Sequence, residues 1–281
     1  MIRFVKARNF EAVSWLETSQ LMQAHPEGIT FSTEKPNVIV GPNGAGKSAL
    51  LTALSFRTLT YWLGITCLDD KYIGMFDAKG LWETVSRWDR EYRFLPGLDC
   101  DTDNAPALYY RPSHIPGNED MVASAMMVGY FDEAKKYGML TRDKSSGQQS
   151  RALLERVQDA LEGNTSHIAY QHVNWNYGIE LREMKDDVGF RYSETDFHAE
   201  TLKRMRLSVE NTAVPLVLMD EPEQSLDAKA EALLWRQIAA VDSSRLQVIV
   251  ATHSLYPLLH PDRFNLIEAV PGYAADVREL L

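Results

Sequence analysis

The chain has 281 residues, enough for one large domain or two small ones and for a full hydrophobic core. Its 45% hydrophobic content excludes the intrinsically disordered class. With 29 Lys and Arg against 39 Asp and Glu, the net charge of −10 argues against a surface that is basic overall and against tight sequence-independent binding to a nucleic-acid backbone.

The only cysteines are Cys67 and Cys100, which excludes a disulfide framework and fits a reducing compartment, so a cytoplasmic location is expected. The first ten residues lack the apolar core of a secretory leader. No apolar run approaches the ~18 residues of a membrane helix, so no membrane segment is expected.

The chain opens as β, with a first strand at 2–7 and a second at 28–31. Asn37-Val-Ile-Val40 is a short buried strand that runs into Gly41-Pro-Asn-Gly-Ala-Gly-Lys-Ser48, after which residues 49–54 have helical periodicity. The acid-rich stretch 99–104 is expected as a loop. Residues 107–111 form a strand stopped by Pro112. Helices follow over 118–140 and from Ser146 to about Leu161, with Gly163 as the stop. The pattern turns towards β from 164 to 196, and 197–207 is helical. A buried strand at 214–219, a helix at 228–240 and a second buried strand at 246–251 complete the reading. Strands alternating with helices predict an α/β fold with a mainly parallel sheet.

The loop at 41–48 matches GxxxxGK[ST] in full. Glycine is needed because backbone N–H groups must wrap closely around phosphate oxygens. Asn43, Gly44, Ala45, Gly46, Lys47, Ser48 and Ala49 are therefore the candidate nucleotide-binding residues. Lys47 supplies a cation to the β- and γ-phosphates, Ser48 a hydroxyl ligand for Mg²⁺, and the following helix its N-terminal dipole. Strand 214–219 ends in Asp220 and Glu221. Asp220 is the second candidate Mg²⁺ ligand. Strand alternation places Glu221 on the opposite side, as general base for the attacking water. Pro222 is expected to end the strand.

Further segments follow in a fixed order. Ser145-Ser-Gly-Gln-Gln149 resembles the ABC signature, Ser225-Leu-Asp227 the D-loop, and Ala251-Thr-His253-Ser254 the switch-histidine loop. With the phosphate loop and the Asp220–Glu221 strand, the chain resembles the ABC-type ATPases. The wording of residues 220–227 and 252–254 is most similar to their SMC/RecF-like branch. The resemblance implies a P-loop NTPase fold with an antiparallel β element and a helical signature subdomain. It implies one domain over 1–281, comprising an ATP-binding lobe (1–104), the signature subdomain (105–163), an inserted β-rich element (164–213) and the rest of the core (214–281).

The resemblance also implies a mechanism. Two copies meet head to tail with ATP between the phosphate loop of one and Ser146, Gly147 and Gln148 of the other. Glu221, His253 and Lys47 are then catalytic, Asp227 aligns the opposite site, and Arg8 approaches the nucleotide. ATP and Mg²⁺ are the expected cofactors, a homodimer the expected state, and DNA or an effector protein the expected partner, in repair, recombination or antiviral defence.

Three departures qualify this. Ser145 and Gln148 replace the usual signature Leu and second Gly. No Gln occurs between Gln23 and Gln148, so the Q-loop glutamine is missing and Ser113 or His114 stands near its place. The stretch from signature to Asp220 is long. His167, His172 and His198 match no zinc spacing and read as surface residues, and Lys203-Arg-Met-Arg206 reads as a solvated helix face. A transporter ATP-binding subunit is the alternative in another class, discriminated by capture of a membrane partner. A slow ATP-dependent switch is a third, discriminated by single-turnover kinetics.

Overall fold

A computed structural model describes residues 1–7, 14–58, 98–103, 105, 107–112, 154–155, 157–165, 168, 213–224 and 226–281. Its centre is a five-stranded, all-parallel sheet of order β5-β6-β7-β3-β8. The strands are β3 (Asn37–Val40), β5 (Ala107–Tyr110), β6 (Leu216–Asp220), β7 (Gln247–Thr252) and β8 (Asn265–Glu268). Every residue of β3, β5, β6 and β7 is buried. That is why these segments read as continuous apolar runs, because a parallel sheet is covered on both faces. A second, antiparallel sheet of order β2-β1-β4 joins β1 (Ile2–Ala7), β2 (Ile29–Thr30) and β4 (Leu98–Thr102). The α/β fold is that of a P-loop NTPase.

The two sheets are tied by Gln247, whose side chain is buried. Its Oε1 accepts from Ile2 N (2.6 Å) and its Nε2 donates to Ile2 O (2.8 Å). Both ends of the amide are satisfied by the backbone of one residue of β1, so burial carries no unpaired polar group.

Short helices α1 (Ser14–Glu17) and α2 (Gln20–Ala24) precede β2. Helix α3 (Lys47–Arg57) follows β3 and packs on β6 and β7. Helix α4 (Ala228–Ala239) links β6 to β7 and is started by Asp227, whose Oδ1 accepts from Lys229 N and Ala230 N, both at 2.9 Å. It buries Leu234, Trp235 and Ile238. Trp235 stacks on Tyr256 of α5 (Tyr256–Leu259) and meets Phe264 edge-on. Helix α6 (Tyr273–Glu279) closes the chain's fold against α5. Residues 157–161 are helical, and Gly163, at φ +100, follows their end as expected.

One expectation is corrected. The acid-rich 99–104 stretch is not a loop, since its first residues belong to β4, paired antiparallel with β1. Asp99 and Asp101 are exposed while Leu98 is buried, so the acids line the solvent face of an edge strand, and Arg3 pairs with Asp101 at 3.3 Å. The first residues of segment 105–163 are β5, the edge strand of the central sheet. The expected helices at 118–140 and 197–207, the signature Ser146-Gly147-Gln148, most of 164–213, Arg8, Ser113 and His114 lie outside the described residues. Among the described residues no helix is long and apolar enough to cross a membrane.

Candidate active site

The site forms where the parallel strands end. β3 delivers the phosphate loop, β6 delivers Asp220 and β7 delivers His253, all at their C-terminal ends, the position where open α/β sheets bind ligands. Register aligns these ends: Val40 pairs with Thr252, and Ala251 with Asp220.

The loop needs its glycines for two separate reasons. Gly44 (φ +74) and Gly46 (φ +100) take left-handed conformations that L side chains rarely adopt. Gly46 also lies so close to Ser19 that a Cβ there would stand 2.4 Å from the Ser19 Cβ. The α1–α2 segment is thus a wall of the loop, fixed by Leu21 N donating to Ala45 O at 2.9 Å. Helix α3 begins at Lys47, and helix geometry offers its leading amides no i−4 carbonyl within the helix until Leu50, whose N donates to Gly46 O at 3.0 Å. These donors, with the helix dipole, suit an anion.

Lys47 is almost fully buried. Its Nζ donates to Gly41 O (2.9 Å) and Pro42 O (3.0 Å) and lies 3.1 Å from His253 Nε2. Burial pulls its ammonium below the usual lysine range, opposed by the carboxylates of Glu221, Asp220 and Glu223. A cation held among acceptors in a dry position is primed to bind phosphate oxygens.

Ser48 Oγ donates to Asp220 Oδ1 at 2.8 Å. Asp220 is fully buried, and burial pushes its carboxyl above the usual range, while the Ser48 hydroxyl and the Arg111 guanidinium pull it back. Hydroxyl and carboxylate side by side are the hard oxygen donors that Mg²⁺ takes in partial protein coordination beside phosphates. The residues present fit the ion on this chemistry.

Glu221 departs from expectation in one respect. It does not continue β6 with alternating side chains. It sits just past the strand at φ +49, the one positive-φ residue other than glycine among the described residues. Such a conformation costs about 1–3 kcal/mol for a non-glycine residue and must be held by its surroundings. Here Glu221 N donates to Ala251 O (2.8 Å) and Gln224 N to Glu221 O (3.1 Å). So a left-handed turn, rather than strand alternation, separates the two acids. The Glu221 carboxylate is contacted by the Gln224 side-chain amide at Oε2 and by His253 Nε2, 3.3 Å from Oε1.

His253 Nε2 therefore faces both Lys47 and Glu221. One ring nitrogen makes one such bond at a time: bare, it accepts from Lys47, and protonated, it donates to Glu221.

Three neighbours of the site escaped the sequence reading. Arg111 follows β5, whose Tyr110 pairs with Met219, so register carries it beside Asp220, and its Nε lies 3.4 Å from Oδ2. Tyr109 OH approaches the same oxygen at 3.5 Å. Glu223 accepts at Oε1 from Thr252 Oγ1 (2.7 Å) and His253 N (2.9 Å). Strand register was the signal that could have found Arg111; Glu223 had no local signal. Of the candidate residues, the structure brings together the phosphate loop, Lys47, Ser48, Asp220, Glu221 and His253. Asp227 is placed as the cap of α4. A cavity of about 570 Å³ lined by Lys6, Glu17, Met22, His25 and Asp99 among others contains none of these catalytic candidates.

Residues 204–258 match a family model described as "AAA domain, putative AbiEii toxin, Type IV TA system". The match spans β6, the Glu221 turn, α4, β7 and His253, while the phosphate loop lies outside it. No curated protein matches the chain. The match, the parallel sheet and the loop together support a P-loop ATPase of the AAA/ABC type that binds nucleotide.

Proposed function

We propose that the protein hydrolyses ATP with Mg²⁺, and that two copies close head to tail around the nucleotide to control a partner effector protein. The observation that carries the reading is the convergence of Lys47 Nζ, the Ser48–Asp220 pair and the Glu221–His253 pair on one end of the sheet.

In this reading Asn43, Gly44, Ala45, Gly46 and Ala49 hold the phosphates through their backbone, and Lys47 exchanges its loop carbonyls for phosphate oxygens. Ser48 and Asp220 hold Mg²⁺, which supplies charge neutralisation at the phosphate oxygens. Glu221 takes a proton from water at its carboxylate. His253 contacts the γ-phosphate and couples it to Glu221 through Nε2. Ser146, Gly147 and Gln148 of the second copy cap the γ-phosphate, with Asp227 aligned across the interface, in the SMC/RecF-like manner that the motif wording resembles. Arg8 approaches the nucleotide from its own copy.

The net charge of −10 and the toxin-related description of the matching family favour a protein effector over bare DNA. The test uses Glu221→Gln, which retains binding and loses turnover. Light scattering with ATP and Mg²⁺ is expected to give a stable dimer, against a weaker or transient one for the native chain. A Glu221→Gln protein with the same mass with and without ATP would overturn the dimer reading. Turnover is then compared with and without linear double-stranded DNA. Salt-sensitive stimulation by DNA would replace the effector with DNA.

A further inference from the structure

The residues either side of His253 are each held by a carboxylate, one from the turn after β6 and one from the first turn of α4. On the N-terminal side, Glu223 Oε1 accepts from Thr252 Oγ1 at 2.7 Å and from His253 N at 2.9 Å. On the C-terminal side, Ser254 Oγ donates to Glu231 Oε1 at 2.5 Å. The two halves join, because Ser254 N donates to Thr252 Oγ1 at 2.9 Å. The resulting chain runs Glu223, Thr252, Ser254, Glu231, with the peptide of His253 enclosed by it. Thr252 is fully buried and Ser254 nearly so, and the second oxygen of Glu223 is buried with no partner among the described residues.

A carboxylate half-buried in this way is costly unless its hydrogen bonds repay it. Hydrogen bonds to an ionised acceptor are roughly twice as strong as neutral ones and more demanding in direction. Glu223 also sits in the same turn as Glu221, two residues on, so one short segment carries the candidate base and grips the histidine loop. Fixing the peptide at 252–254 relative to the turn at 221–224 fixes the 3.3 Å approach of His253 Nε2 to Glu221 Oε1.

We propose that Glu223 and Glu231 form a two-carboxylate clamp that positions His253 against Glu221, making Glu223 the principal positioning residue of the hydrolytic site. The clamp rests on the ATPase reading above. Neither carboxylate touches nucleotide: each acts through the backbone and hydroxyls beside the histidine. A misplacement near 1 Å at a reacting group lowers rate by up to about a hundredfold while leaving distant contacts intact. The clamp therefore acts mainly on kcat, while nucleotide affinity rests mainly on the phosphate loop.

The experiment measures ATP turnover and, separately, binding of a fluorescent non-hydrolysed ATP analogue for native chain, Glu223→Ala, Glu223→Gln, Glu231→Ala and Glu221→Gln. Glu223→Ala is expected to lower kcat at least tenfold with KM and analogue affinity within twofold. Glu223→Gln, whose amide oxygen still accepts both donors, is expected to recover most of that loss. Glu231→Ala, holding one side of the loop, is expected to give a smaller fall in kcat and stands alone as the test should Glu223→Ala not fold. Native turnover with an inactive Glu221→Gln keeps the ATPase reading in place; on that background, unchanged kcat in Glu223→Ala overturns the clamp. So does a parallel loss of kcat and analogue affinity, or a Gln variant no better than Ala. A native chain that binds the analogue but never hydrolyses ATP overturns both the reading and the clamp.

Discussion

Placing alanine at Gly46 separates two costs that glycine avoids in the phosphate loop. Both Gly44 and Gly46 are left-handed, at φ +74 and +100, and forcing an L residue there costs about 1–2 kcal/mol at either position. Only Gly46 also meets a neighbour: its added Cβ would lie 2.4 Å from Ser19 Cβ and 2.7 Å from Ser19 Oγ, while Gly44 has open space within 4 Å. Ser19 has little freedom to retreat, because Leu21 N is bonded to Ala45 O across the same contact. Overpacking of this kind adds about 1–3 kcal/mol. Gly46→Ala should thus cost about 2–5 kcal/mol against about 1–2 for Gly44→Ala. The assay is thermal unfolding without nucleotide, where each kcal/mol moves Tm by about 2–4 °C in a chain of roughly this size. Adding Ser19→Gly should recover the contact term in Gly46→Ala. It gives up only a few tenths of a kcal/mol from the cap that Ser19 Oγ provides to Met22 N at 3.3 Å. Equal losses at the two glycines, or a double variant no more stable than Gly46→Ala, would refute the account of the loop wall.

Two further outcomes follow from the same geometry. Lys47→Ala removes the buried cation aimed at phosphate and should abolish ATP binding by calorimetry; unchanged affinity would contradict the phosphate-loop reading. Asp220→Asn should raise the Tm of nucleotide-free protein at neutral pH by about 1 kcal/mol equivalent while removing Mg²⁺-dependent turnover, a functional carboxylate held at the expense of stability. The sign follows from its raised pKa: the folded state favours the protonated acid, so ionisation weakens the fold as pH rises through the folded value. The advantage of Asn should therefore shrink towards zero as pH falls below about 3, where the acid is itself neutral even when unfolded. An advantage that grows on acidification would contradict it.

How much of this was readable beforehand depends on the range of the interaction that decides each feature. The strand–loop–helix at 37–57 is determined by local pattern, and the ends of β6 and β7 by apolar runs that stop at Asp220 and near His253, so all three were legible. β4 was missed because its composition is acidic and unfavourable for a strand. Its alternation of buried Leu98 with exposed Asp99 and Asp101 becomes decisive only once β1 lies alongside. Glu221 was expected to follow strand alternation, but it lies past the strand end, and its left-handed backbone is imposed by the bond to Ala251 on the neighbouring strand. Arg111 reaches Asp220 through the register of β5 on β6, and Glu223 reaches Thr252 across a whole helix and strand. No window of sequence contains those pairs.

The central claim is that the groups gathered at the ends of β3, β6 and β7 hydrolyse ATP with Glu221 as the base. Steady-state phosphate release with ATP and Mg²⁺ from native chain and from Glu221→Gln tests it most directly. The account predicts turnover in the native chain, dependent on Mg²⁺, and a loss of at least a hundredfold in the variant with nucleotide still bound. A Glu221→Gln protein that releases phosphate at the native rate would contradict it.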